Sequence, residues 1–297
     1  MLAVRRITTL LVMAAWTLLL LPLQVIAVAR RAALAEKIPK LYHRGLCRML
    51  GVKVEVRGAP LSTRPVLFVS NHVSWLDILV LTSQLPHAAY VAKHEVASWP
   101  VFGYLAKLHD TVFIERKARR TADHRDEMTE RLGKGDNLIL FPEGTSHDGL
   151  RVLPFKSSFF SLAEKEIEGR PLAVQPVAIT FSRLNRLPVM RRNMAIYAWV
   201  GDQGLVEHLW KFLHVGPTTV VLEFLPPVTI QGFASRKEMA RHCREAICQS
   251  VYAALTGRPR AAAPAPAAPE EASGSVLEPV SEPAPAPVAV PVLGGGA

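Results

Sequence analysis

Cysteine is scarce, and its placement argues against two architectures. Cys47, Cys243 and Cys248 are the only three in 297 residues, and no CxxC pair occurs. They suggest neither a disulfide framework nor a structural zinc site, and they fit a reducing compartment. Phosphate-loop and metal-ligand patterns are missing too. Gly133-Lys134-Gly135-Asp136 lacks the GxxxxGK[ST] pattern of a nucleotide hydrolase. The ten histidines are scattered, with no HExxH-like spacing for a metal-dependent hydrolase. No aromatic–basic motif stands out, and basic residues gather near the N-terminus, so nucleic acid is not an expected partner. Acidic residues are in deficit: 25 Asp and Glu face 35 Lys and Arg, for a formal charge of +10. That balance points to an anionic partner, such as a membrane surface or a phosphorylated substrate.

Apolar sequence, by contrast, is plentiful. Hydrophobic residues make up 49% of the chain, and the mean hydropathy is +0.19. Residues 7–29 carry no charge. This run is long enough to cross a bilayer as a helix, although Pro22 would kink it. Arg5 and Arg6 could form the n-region of a signal peptide. The run is long for one, however, and Arg30-Arg31 follow without a small-residue cleavage site. Residues 1–31 therefore read as a retained membrane anchor. The basic excess after it keeps the body on the cytoplasmic side of the membrane. Residues 32–50 read as a basic amphipathic helix at the membrane interface.

From Val52 the chain alternates between strands and helices. Strands are expected at 52–56, 66–69, 89–92, 111–114, 137–141, 173–180, 195–200 and 219–224. Helices are expected at 75–84, 98–108, 120–133, 156–167, 204–213 and 234–255. This alternation predicts an α/β fold with a mostly parallel sheet flanked by helices, over residues 32–257. Residues 258–297 are rich in Ala and Pro, with few large apolar side chains to offset ordering entropy, and read as a disordered tail.

Chemistry concentrates where apolar strands end. Asn71-His72-Val73-Ser74-Trp75-Leu76-Asp77 follows Pro65–Val69 and precedes a helix. Open α/β sheets place their crevices at the carboxyl ends of strands. An imidazole there can take a proton from a hydroxyl, and a carboxylate can fix its tautomer. Ser74 and Asp77 also fit a helix-capping box, so a structural role stays open. Leu138–Phe141 ends in Pro142-Glu143-Gly144-Thr145, where a carboxylate, bare backbone and a hydroxyl can position a polar ligand. His147-Asp148-Gly149 reads as a turn. Thr111–Ile114 ends in Glu115-Arg116-Lys117, and Arg116 could fork onto a phosphate. Arg151 lies just past the Glu143 loop, and Lys156 opens the next helix, where backbone N–H groups favour anions. Val174-Gln175-Pro176-Val177 carries a proline inside an apolar strand, marking an edge, bulge or boundary.

Together these stretches resemble the glycerophospholipid acyltransferase family, of the lysophosphatidic acid acyltransferase type. His72-x4-Asp77, Phe113-Ile114-Glu115-Arg116, Phe141-Pro142-Glu143-Gly144-Thr145 and Val174-Gln175-Pro176-Val177 match its four motifs in order, over roughly residues 40–230. The second motif usually has Asp before Arg. The resemblance implies acyl transfer from acyl-CoA or acyl-carrier protein to a lysolipid hydroxyl, with no cofactor, no metal and no covalent acyl-enzyme. It implies that His72 is the base and Asp77 its partner. Arg116, Glu143, Gly144 and Lys156 would bind the acceptor head group, with Thr145 and Arg151 beside them. Ser146 stands where the family usually has Arg, and Ser157-Ser158 stand where Gly is common. The expected acceptor is 1-acyl-sn-glycerol-3-phosphate, giving phosphatidic acid for phospholipid synthesis. Ser146 keeps lyso-ornithine lipid open as the alternative. A catalytically inactive, membrane-tethered lipid-binding protein is the reading of another class; such a protein has no chemical need to retain His72, Asp77 and Glu143.

Overall fold

The computed structural model describes residues 2–85, 88–114, 121–201 and 203–258. The expected tail, Arg116 and its neighbours lie outside them. The chain opens with a helical hairpin, α1 (Leu2–Ala29) and α2 (Leu34–Met49). The β-strands β1 (Val52–Arg57), β2 (Val66–Ser70), β3 (Ala88–Lys93), β4 (Val112–Ile114) and β5 (Asn137–Leu140) follow. They are interleaved with α3 (Leu76–Gln84), α4 (Phe102–Leu108) and α5 (Thr121–Gly133). A short hairpin, β6 (Glu166–Ile167) with β7 (Arg170–Pro171), precedes the long β8 (Ala173–Leu184) and β9 (Leu187–Pro188). The body ends with α6 (Leu205–Phe212), β10 (Thr218–Phe224) and α7 (Arg236–Thr256).

The main sheet runs β1-β10-β8-β2-β5-β3-β4, with β9 paired to β8. Strands β8, β2, β5, β3 and β4 are parallel, while β10 joins β8 antiparallel and carries β1 with it. Every residue of β2 is buried, as both faces of its sheet are covered. Val66 and Phe68 pack towards α2 and α3. Leu67 and Val69 pack towards α5 and α7 on the other face. The expected α/β sandwich is present, and its antiparallel edge is the part the apolar runs did not reveal.

Two segments differ from their reading. Residues 195–200 are not a strand: a 3-10 turn spans Arg191–Ile196, and Tyr197 and Met194 are buried in the core. Residues 157–164 form a 3-10 segment, not the α-helix expected from 156 to 167. In both, apolar side chains needed for burial imitate a regular element.

Pro176 sits inside the sheet at a change of partner. Below it, Val174 bridges Val228; above it, β10 begins pairing at Val177. Its missing N–H therefore falls where the ladder changes hands. Gln175 bridges the same gap. Its amide donates to the Ala59 and Leu225 carbonyls at 3.0 and 3.1 Å, and its oxygen accepts from the Leu61 amide at 2.8 Å.

α1 lies against the body along its length. Its inward positions, Arg6, Leu10, Met13, Thr17, Leu20, Gln24 and Ala27, alternate steps of four and three, as a packing stripe requires. Arg5 donates to the Leu213 and Val215 carbonyls at one end, and Gln24 to Leu108 at the other. Gly45 of α2 has no side chain where the Trp16 indole sits, which lets the two helices close up. The opposite face exposes Leu11, Leu18, Leu19 and Ile26.

Replacing Gln175 by Leu removes the partner of three backbone groups, of which the Leu225 carbonyl is buried. An unsatisfied buried group costs about 1–3 kcal/mol. Gln175→Leu should therefore lower the unfolding midpoint in a denaturant titration, with turnover per folded molecule retained.

Candidate active site

β2 delivers Asn71 and His72 to the carboxyl edge of the sheet. Asn71 continues the ladder with its side chain: its amide donates to Ile179 O, and its oxygen accepts from Ile179 N, both at 2.9 Å. The chain then turns sharply into α3. Asp77 stands in the first turn, fully buried. Its Oδ2 accepts from the backbone amides of Val73 at 2.6 Å and Ser74 at 2.8 Å, and lies 2.8 Å from His72 Nδ1. An ionised carboxylate accepts only, so Nδ1 carries the proton and Nε2 is left as the basic nitrogen. The Phe141 ring stacks on the imidazole, 4.1 Å between centroids, and fixes its plane. Half of the expected capping box exists: Asp77 holds the Ser74 amide, while the Ser74 hydroxyl finds no partner among the described residues.

Glu143 corrects an expectation. It was placed at the acceptor head group, yet it is 3% exposed and its oxygens are occupied. Oε1 accepts from the His72 amide at 2.9 Å, and Oε2 from the Leu153 amide at 3.0 Å. His147 Nε2 lies 2.9 Å from Oε2, off the direction of a hydrogen bond. Glu143 thus positions the backbone of His72 from below. Burial opposes charge on His147, but the Glu143 and Asp148 carboxylates outweigh it and hold the imidazole above its ordinary value. Ser146, where the family usually has Arg, turns its hydroxyl onto the Trp199 carbonyl and ties two loops together.

His72 opens onto a cavity of about 1170 Å³. Small-molecule pockets run to about 300–1,000 Å³, so this one has room for long-chain substrates. Residues from α1, α2 and α4 wall it, mostly with apolar side chains, and Gly144, Thr145 and Lys156 sit near its polar end. Gly144 has φ +72°, and a side chain there would strike Lys156 Nζ. Arg151 is exposed and does not line the cavity. Lys156 is exposed and precedes the 3-10 segment, so the expected α-helix N-terminus is not formed there.

A sequence profile of the acyltransferase family matches residues 53–180. A lyso-ornithine lipid O-acyltransferase from Rhizobium meliloti (strain 1021) is 40% identical over 258 residues, covering 84% of this chain and 88% of the relative. The chain belongs to the acyltransferase family. It is an enzyme of lysolipid acyl transfer by that membership. A 1-acyl-sn-glycerol-3-phosphate acyltransferase from Neisseria meningitidis serogroup B (strain ATCC BAA-335 / MC58) is 34% identical over 184 residues, covering 61% of this acyltransferase and 68% of the relative. The crystal structure of the 1-acyl-sn-glycerophosphate acyltransferase PlsC from Thermotoga maritima shares the fold, with a TM-score of 0.57 at 22% identity. It covers 87% of this chain and the whole of that one.

Of the motif residues, His72, Gly144, Thr145 and Lys156 line one cavity, and Asp77 stands behind His72. His147 was read only as part of a turn; its signal was the four-residue step from Glu143. Asn71 was visible as a polar residue just past the apolar run Val66–Val69. Thr17 and Gln24 were the only polar breaks after Thr9 in the α1 run, seven residues apart on its inward face.

Because His147 is raised above 6.5 in the fold, its contribution to stability is present below that pH and is lost as pH rises through the folded value. Melting curves across this range should show wild type exceeding His147→Gln most at acidic pH, with the gap narrowing above neutrality. A pH-independent gap would refute the assignment.

Proposed function

We propose that this acyltransferase moves a fatty acyl group from a thioester, acyl-CoA or acyl-carrier protein, to the free hydroxyl of a lyso-ornithine lipid. The observation that carries the acceptor is the charge on the cavity wall. Among the described residues, its charged side chains, imidazoles aside, are one acid and one base, Glu95 and Lys156. An ornithine head group presents one carboxylate and one ammonium, and the pair matches both. Ser146 supports this reading, since an arginine there would favour a phosphate. The name of the Rhizobium meliloti relative agrees with it, as does that of a second from Brucella abortus (strain 2308), 37% identical over 250 residues. The second reading, 1-acyl-sn-glycerol-3-phosphate, is favoured by Lys156 beside Gly144, by the Neisseria relative, and by Arg116 if it reaches the site.

The chemistry follows from the His72 geometry. Nε2 takes the proton of the acceptor hydroxyl while its oxygen attacks the thioester carbonyl. The tetrahedral oxyanion then collapses, the carbon–sulfur bond breaks, and the imidazolium returns its proton to the leaving thiolate. Asp77 stabilises the imidazolium throughout. The enzyme associates with membranes. We place α1 in one leaflet, because both its ends are tied to the body and its outer face is apolar, with the body on the cytoplasmic side.

General-base removal costs about 10²–10⁴-fold. His72→Ala should lose that much turnover at unchanged protein level, and Asp77→Asn should lose turnover with little change in melting temperature. Near-wild-type rates in His72→Ala would refute the base assignment.

The acceptor is tested by specificity constants for the two lysolipids. Wild type should prefer lyso-ornithine lipid. Glu95→Gln should raise the KM for it by roughly threefold, the scale of an exposed charge pair, and leave 1-acyl-sn-glycerol-3-phosphate unaffected. Preference for the phosphate acceptor, with Glu95→Gln silent, would establish the second reading.

A further inference from the structure

The deep end of the cavity is not purely hydrocarbon. A run of rings descends from the catalytic motif: His72 to Phe141 at 4.1 Å, Phe141 to Tyr90 at 6.4 Å, Tyr90 to His109 at 5.6 Å, and His109 to His43 at 5.8 Å. All five line the cavity. Acyl transfer at His72 makes no use of His43, four ring steps away.

The state of His43 is fixed by its surroundings. Nδ1 lies 2.7 Å from the Pro39 carbonyl, which can only accept, so Nδ1 carries a proton. Burial pushes the imidazole down to about 4, so it is neutral at physiological pH. Nε2 is therefore left as an acceptor, on a ring that lines the cavity. Gln24 of α1 repeats the pattern. Its amide nitrogen donates to the Ala35 and Leu108 carbonyls at 3.1 and 3.3 Å, which fixes the other atom as oxygen. That oxygen has no partner among the described residues, and the side chain is 8% exposed. Leu108 and His109 are neighbours at the end of α4, so both acceptors belong to one region of the cavity. The Gln24 oxygen is a buried acceptor without a partner, which is costly, and a ligand donor reaching this region removes that cost.

We propose that this region receives a hydroxyl carried in the interior of the transferred acyl chain, with His43 Nε2 as its hydrogen-bond acceptor and Gln24 close by. The transferred chain is the natural occupant. The acceptor's own chain can stay in the lipid phase it comes from, whereas a chain delivered on a water-soluble thioester needs a dry site. This inference rests on the acyl-transfer reading and deepens it to a class of acyl donor.

The test uses the full-length protein in lipid nanodiscs with a lysolipid acceptor. Hexadecanoyl thioesters bearing one hydroxyl, beside the thioester or at mid-chain, are compared with plain hexadecanoyl thioester. Wild type should favour the mid-chain hydroxyl by roughly tenfold in kcat/KM, the scale of one neutral hydrogen bond. His43→Phe keeps the ring and removes the acceptor, so the ratio should fall to about one. If that variant does not fold, mid-chain hydroxyhexadecanoic acid should raise the wild-type melting temperature more than hexadecanoic acid does. Equal kcat/KM values in wild type, an unchanged ratio in His43→Phe, or equal melting shifts would mean that water satisfies these acceptors, and would overturn the inference alone. Turnover of no thioester at all would overturn acyl transfer itself, and this inference with it.

Discussion

The site depends on a single buried oxygen. Asp77 Oδ2 gathers two backbone amides and one imidazole nitrogen within 2.8 Å. A lone carboxylate at zero exposure would be prohibitively costly; three donors make it tenable. The same contacts shape the loop. The amides fold residues 73–74 back over the start of α3, and that curl sets where the imidazole can point. Glu143 completes the arrangement from the neighbouring strand by holding the His72 amide. Two carboxylates, one in the first turn of α3 and one in the loop after β5, thus fix one histidine, one through its ring and one through its backbone. Neither carboxylate needs to touch substrate to matter for the reaction.

Much of this was legible because burial leaves strong marks. The apolar runs Val66–Val69 of β2 and Leu138–Leu140 of β5 are continuous, so the polar residues that follow them had to serve something other than the core. That logic found His72, Asp77 and Glu143. It misassigned Glu143 because sequence gives the location of a charge but not the direction it faces. A carboxylate at a strand's end can look outward to ligand or inward to a neighbouring amide, and only the path of the adjacent loop decides. The same limit explains residues 195–200. Tyr197 and Ala198 are buried as strand residues would be, but the segment's hydrogen bonds close on itself and on Val73, not on a sheet.

The α1 run shows a different limit. Its apolar excess hides the packing stripe, because a residue that suits lipid also suits a protein core. Thr17 and Gln24 break the degeneracy: both are polar and face inward, Thr17 bonded to the Tyr42 hydroxyl and Gln24 to the Ala35 carbonyl. The antiparallel direction of β10 and β1 was hidden for a related reason, since the pattern of a strand reads alike in either direction.

The inward face of α1 is also a wall of the substrate cavity, while its outward face is apolar and open. With α1 in a leaflet as proposed, the cavity would be a vessel bounded partly by protein and partly by whatever lipid lies against that helix. A lysolipid can reach such a vessel by sliding laterally, without crossing water. The concentration that governs encounter is then a surface density, moles of acceptor per mole of bilayer, and diluting the suspension at fixed lipid composition leaves it untouched. Adding inert lipid, by contrast, thins the acceptor around each enzyme molecule. On that placement the bilayer would act as the solvent of the reaction as much as its anchorage.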